Sequence, residues 1–119
     1  MTDSTRSIGS KFEDIAANYL TEKGYTIIKR NFHFGKLGEI DIVAQIGKIL
    51  VFVEVKARTS VEYGSIYDTV PLSKRKTIRK TAEGYLYVNK INDRECRLDF
   101  VGIDATVRPF VITHIENAF

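Results

Sequence analysis

Apolar residues recur along the chain at two spacings. Between Ser10 and Lys23, Phe12, Ile15, Ala16, Tyr19 and Leu20 fall three and four apart, one stripe of a helix, and Gly24 stands where such helices end. From Tyr25 the spacing shortens to alternation. It predicts strands over Tyr25 to Phe32, Gly38 to Gln45 and Ile49 to Ala57. A link around Gly35 joins the first two, and a tight turn at Gly47-Lys48 joins the second and third. After a loop from Gly64 to Pro71, the stripe Ile78, Ala82, Tyr85 and Leu86 predicts a second helix over Ser73 to Asn89. Arg97 to Thr106 and Phe110 to Ile115, separated at Pro109, read as two further strands. The order α-β-β-β-α-β-β predicts an α/β fold with a mixed central sheet and flanking helices, formed by residues 1–119 as one domain.

Composition narrows the function classes. The 119 residues are 44% hydrophobic and 28% charged, which suits a globular domain with a real core. No apolar run approaches the ~20 residues that cross a bilayer, and Met1 to Ser10 lacks the apolar stretch of an export signal, so a cytoplasmic protein is expected. One cysteine, Cys96, and two distant histidines, His33 and His114, exclude an intramolecular disulfide and a structural zinc site. The net charge of +3 permits an anionic partner without requiring one. Its distribution says more. Lys74, Arg75, Lys76, Arg79 and Lys80 lie between Leu72 and Lys80 with no acid among them, a pattern shared by nucleic-acid-binding faces and by plain solvated helix surfaces.

The most informative charges stand where a core is expected. In LVFVEVK, Leu50 to Lys56, alternation places Val51, Val53 and Val55 on one face and Phe52, Glu54 and Lys56 on the other. So much apolar material implies a central strand buried on both faces, where an unpartnered carboxylate costs several kcal/mol. Either a metal ion or Lys56 can compensate Glu54; an exposed pair on an edge strand is the competing reading. In GEIDIVA, Gly38 to Ala44, Ile40 and Ile42 alternate with Glu39 and Asp41, which predicts one shared face for the two acids. A hairpin about Gly47-Lys48 pairs residues whose numbers sum to about 95, which sets Asp41 opposite Glu54 at about 5 Å between Cβ atoms. Two carboxylates that close repel unless one is protonated or a hard divalent cation lies between them. Mg²⁺ or Mn²⁺ at such a pair is the chemistry of phosphodiester cleavage. Glu13 is a third candidate acid, but Ser10-Lys11-Phe12-Glu13 also matches a capping box, and spacing alone favours the cap.

These residues carry a resemblance. Glu13, Ala16-Ala17-Asn18-Tyr19-Leu20, Gly24-Tyr25, Arg30-Asn31-Phe32, GEID at 38–41, FVEVKAR at 52–58, Gly64, Val70, Lys74, Tyr85-Leu86, His114-Ile115 and Ala118-Phe119 together resemble the YraN-like family of small bacterial proteins. That family is described as endonucleases of the restriction-endonuclease-like superfamily, similar to Holliday-junction resolvases. The resemblance implies an αβββαβ core, Asp41 and Glu54 as metal ligands, and Lys56 as the catalytic lysine. It also moves Glu13 from cap towards ligand, leaves Glu39 a supporting part, and makes Mg²⁺ or Mn²⁺ the expected cofactor. Phe12 stands where many members have Gly, and Ile40 stands where the superfamily's proline precedes the aspartate.

The expected activity is metal-dependent hydrolysis of nucleic acid, with DNA, including branched DNA, as substrate. Arg58, Lys74, Arg75, Lys76 and Arg79 are the expected phosphate contacts, and Tyr63 and Tyr67 are candidates to stack on unpaired bases. The alternative is a nucleic-acid-binding module with the nuclease fold and little activity without a partner. A third reading is a small interaction domain whose acids only pair with lysines. At this length, selectivity is expected to need a homodimer or a partner protein.

Overall fold

The computed structural model describes residues 4–60 and 64–119, the side chains of 4–9 and 69 excepted. The elements follow in the order α1 (Ser4–Glu22), β1 (Thr26–Phe34), β2 (Gly38–Ile46), β3 (Ile49–Arg58), α2 (Leu72–Val88), β4 (Cys96–Asp104) and β5 (Val111–Ile115), with one 3-10 turn at Tyr67–Thr69 before α2. The five strands form one sheet in sequence order. All neighbours are antiparallel except β3 and β4, whose parallel pairing is made through α2. The architecture is the expected α/β arrangement, a mixed sheet with two helices, compatible with a restriction-endonuclease-like core. Among the described residues no helix is long and apolar enough to cross a membrane.

The two helices cover opposite faces. Phe12, Ala16, Ala17 and Leu20 of α1 pack on Ile42, Ala44, Val51, Val53, Val101 and Ile103. Ile78, Ala82 and Tyr85 of α2 pack on Phe32, Ile40, Val43, Leu50 and Phe52. Alternation along β3 is therefore as the valines predict, and β3 is the central strand, buried on both faces. Gly38 lets α2 approach the sheet. A Cβ there would stand 2.5 Å from Thr81 Oγ1 and 2.6 Å from Thr77 Cγ2.

Two expectations are corrected. The first helix starts at Ser4 rather than Ser10, so Ser10 lies inside it and its amide needs no cap. Once a helix is nucleated, each added residue gains a hydrogen bond, and the polar segment before Ser10 simply continues the ladder. Ile40 and Ile42 do not share a face, because one joins the α2 core and the other the α1 core. On β1, Arg30 pairs with Ile42 and Phe32 with Ile40, and between them Asn31 has a left-handed backbone (φ 55°), so the break in alternation coincides on the two strands.

Candidate metal and nucleic-acid site

The break in β2 falls on Asp41. The β2–β3 ladder runs from Ile46↔Ile49 to Ile42↔Val53, with the register expected from the turn at Gly47. Beyond it, the Asp41 carboxylate accepts a hydrogen bond from the Val55 amide at 2.7 Å. The side chain thus satisfies a backbone donor at the point where the two strands part. Asp41 also lies against Glu54. Burial, and next the Glu54 charge, push its pKa up to about 8 although the Val55 amide acts against them.

Glu54 lies on the α2 face of β3 and is buried. Burial raises its pKa, and the Lys74 ammonium works against that shift. Lys74, from the first turn of α2, approaches Glu54 Oε2 at 3.6 Å. The compensating lysine is therefore Lys74 and not Lys56. Glu54 Oε1 is buried with no hydrogen-bond partner. An orphaned carboxylate oxygen in a protein interior is costly and calls for a cation or a proton.

Glu13 reaches the same place from α1. Carboxylate oxygens of Glu13, Glu39 and Asp41 lie within 4.8 Å of one another. The capping role favoured by spacing does not apply to Glu13, since it lies well inside the helix. Arg30 on β1 holds it instead, at 3.4 Å from Glu13 Oε1 and 2.7 Å from Asp14 Oδ1. Glu39 is one of the three grouped acids. Its signal in the sequence was its place two residues before Asp41; Arg30 offered none, because its partners come from a distant helix.

The basic candidates separate into two sets. Lys56 is exposed on the same face of β3 as Glu54, and no described carboxylate lies within 4.0 Å of it. Lys76 and Arg79 are likewise exposed on the outer side of α2. Arg75 is engaged elsewhere. Its Nε donates to Val70 O at 3.1 Å and its Nη2 to Tyr67 O at 3.3 Å, and the guanidinium stacks 4.3 Å from the Tyr67 ring centroid. Arg58 Nη2 donates to Gly64 O at 2.6 Å. Both arginines therefore fasten the loop before α2. Tyr67 packs on Phe100 and Phe119 and donates to Ala118 O at 2.6 Å, so it closes the core rather than offering a ring to a base. Tyr63 lies outside the described residues.

Residues 12–103 match the model of the uncharacterised protein family UPF0102. The chain belongs to that family. This is the YraN-like family that the sequence resembles, and the matched span holds Glu13, Glu39, Asp41, Glu54 and Lys56. The UPF0102 protein of Pelotomaculum thermopropionicum is 39% identical over 121 residues, covering 100% of each chain. That of Carboxydothermus hydrogenoformans is 38% identical over 112 residues, 94% of each, and that of Shewanella sediminis 43% over 111 residues, 93% of this chain and 90% of the relative.

Proposed function

We propose that the chain is a divalent-metal-dependent nuclease that hydrolyses phosphodiester bonds in nucleic acid, with DNA as the expected substrate. The observation that carries this reading is the convergence of Glu13, Glu39 and Asp41 beside Glu54, whose buried Oε1 has no partner. Carboxylate oxygens are hard donors, and a set without Cys or His fits Mg²⁺ or Mn²⁺ better than a soft metal. Asp41 and Glu54 would hold the ion, with Glu13 and Glu39 directly or through water. When bound, such an ion lowers the pKa of water and neutralises charge on a phosphate.

The remaining chemistry falls to the chain's own side chains. Lys56 is free to orient the attacking water or to stabilise charge on the phosphorane-like transition state. Lys74 neutralises Glu54 and, once released, can hold a phosphate oxygen. Lys76 and Arg79 would hold backbone phosphates, which gives affinity without sequence readout. Arg30 keeps the Glu13 carboxylate turned to the cluster. The Lys74–Glu54 pair also favours a second reading, a binding module whose acids are neutralised from within and which cuts little alone. Cleavage of single-stranded, duplex and branched DNA with Mg²⁺ or Mn²⁺ separates the two. The nuclease reading expects cutting that falls by a factor of about 10² or more in Asp41→Asn and Lys56→Ala. DNA binding without cutting under either metal leaves the binding module.

A further inference from the structure

At the opposite end of the sheet from the carboxylates, the α1 face opens into a hollow of about 550 Å³. Tyr19, Lys23, Tyr25, Lys48, Arg97 and His114 line it, together with apolar residues of the β2–β3 hairpin. Nothing in the proposed reaction uses these residues.

Arg97 is the fixed cation of the hollow. Its Nε and Nη2 donate to Asp99 at 2.9 and 2.8 Å, and Nη2 also donates to the Tyr25 hydroxyl at 2.6 Å. Asp99, fully buried, accepts in addition from His114 Nε2 at 2.7 Å and from the Asn117 amide at 3.0 Å. A guanidinium held on two sides cannot turn away. Its Nη1 pairs with Glu116 Oε1 at 3.4 Å, and the Glu116 side chain is 62% exposed. Lys23 and Lys48 are exposed, and no described carboxylate lies within 4.0 Å of either. The three cations Lys23, Lys48 and Arg97 outnumber the acids Asp99 and Glu116 by one. Lys23 also lies 5.5 Å from the centroid of the Tyr19 ring, a cation beside an aromatic at the rim.

We infer that this hollow receives a nucleoside-phosphate unit, its phosphate among Lys23, Lys48 and the Nη1 edge of Arg97 and its base against Tyr19 and the hairpin. The volume suits a ligand of nucleotide size. A pre-set guanidinium with two exposed lysines is the chemistry of phosphate recognition, and the exposed Glu116 is the partner a phosphate would displace. Aromatic and cationic groups side by side are what nucleotides stack and pair on. The position fits as well. Asp41 to Ile46 spans about 17 Å of β2 at ~3.4 Å per residue, about the rise of five stacked nucleotides. A strand held at the carboxylates can therefore reach the hollow. The inference rests on the nuclease reading for its choice of nucleic-acid chemistry, but not on cleavage.

The test is amide and histidine-ring chemical-shift perturbation on the full chain, with adenosine monophosphate and with a short single-stranded DNA as probes. Both are repeated on the surface variant Lys23→Glu/Lys48→Glu. Shifts are expected at Gly47, Lys48 and His114, with oligonucleotide affinity weakened about tenfold or more by the double reversal. Shifts with both probes assign the site to any nucleoside phosphate; shifts with the oligonucleotide alone assign it to a strand. No shift at these residues with either probe, or unchanged oligonucleotide affinity in the variant, overturns the inference. Mn²⁺ titration of the wild type reads the carboxylates separately, so absence of saturable Mn²⁺ binding there counts against the nuclease reading alone.

Discussion

Two aspartates of one sheet, on the strands that flank β3, meet burial in opposite ways. Asp99 on β4 is surrounded by donors: Arg97, His114 and the Asn117 amide together hold its pKa below the usual carboxylate range despite complete burial. Asp41 on β2 receives one backbone amide and otherwise faces other acids, and its pKa rises to about 8. The first is a finished structural network. The second is a cluster of acids that Lys74 and Arg30 compensate only in part, and it is this remaining deficit that supports the proposed cation site.

Removing each acid should therefore have opposite consequences for stability. Asp99→Ala leaves Arg97 and His114 without their acceptor, and chemical denaturation is expected to show a loss of about 3–5 kcal/mol. Asp41→Asn relieves repulsion and retains an acceptor for the Val55 amide. Measured without divalent metal near pH 8, it is expected to be at least as stable as wild type. Equal losses in the two variants would erase the distinction.

A second effect sharpens the same contrast through pH. The folded state binds the Asp41 proton more tightly than the unfolded chain, whose aspartate titrates near 3.8. Its contribution to stability is thus complete below about pH 4 and is lost as pH rises towards 8. Asp99 works the other way, and its contribution is lost as pH falls through the acid range. Melting curves in chelator should show wild type losing ground to Asp41→Asn between pH 4 and pH 8. Added Mg²⁺ should cancel that loss, because bound metal favours the charged carboxylate.

What could be foreseen from the residues divides along local and distant lines. The element order was legible, and so was the register that sets Asp41 near Glu54. A tight turn at Gly47 (φ 57°) and the strict alternation of β3 fix both locally. The fate of Glu13 was not legible. Its capping-box spacing is real, but the helix continues past Ser10, and Arg30 on another element aims the side chain. The partner of Glu54 was hidden for the same reason: Lys56 is near in sequence, but Lys74 is near in space because Gly38 admits α2 close to the sheet. Arg75, Arg58 and Tyr67 looked free only because their partners, the loop carbonyls and the last residues of the chain, leave no pattern.

The central claim is that the Asp41 cluster is a cation site rather than a surplus of acids. Isothermal titration of Mn²⁺ into wild type and Asp41→Asn at pH 7.5 or thereabouts tests it most directly. Saturable binding by wild type, weakened by about tenfold or more in the variant, is the predicted result. No saturable binding by wild type, or equal binding by both proteins, would contradict it.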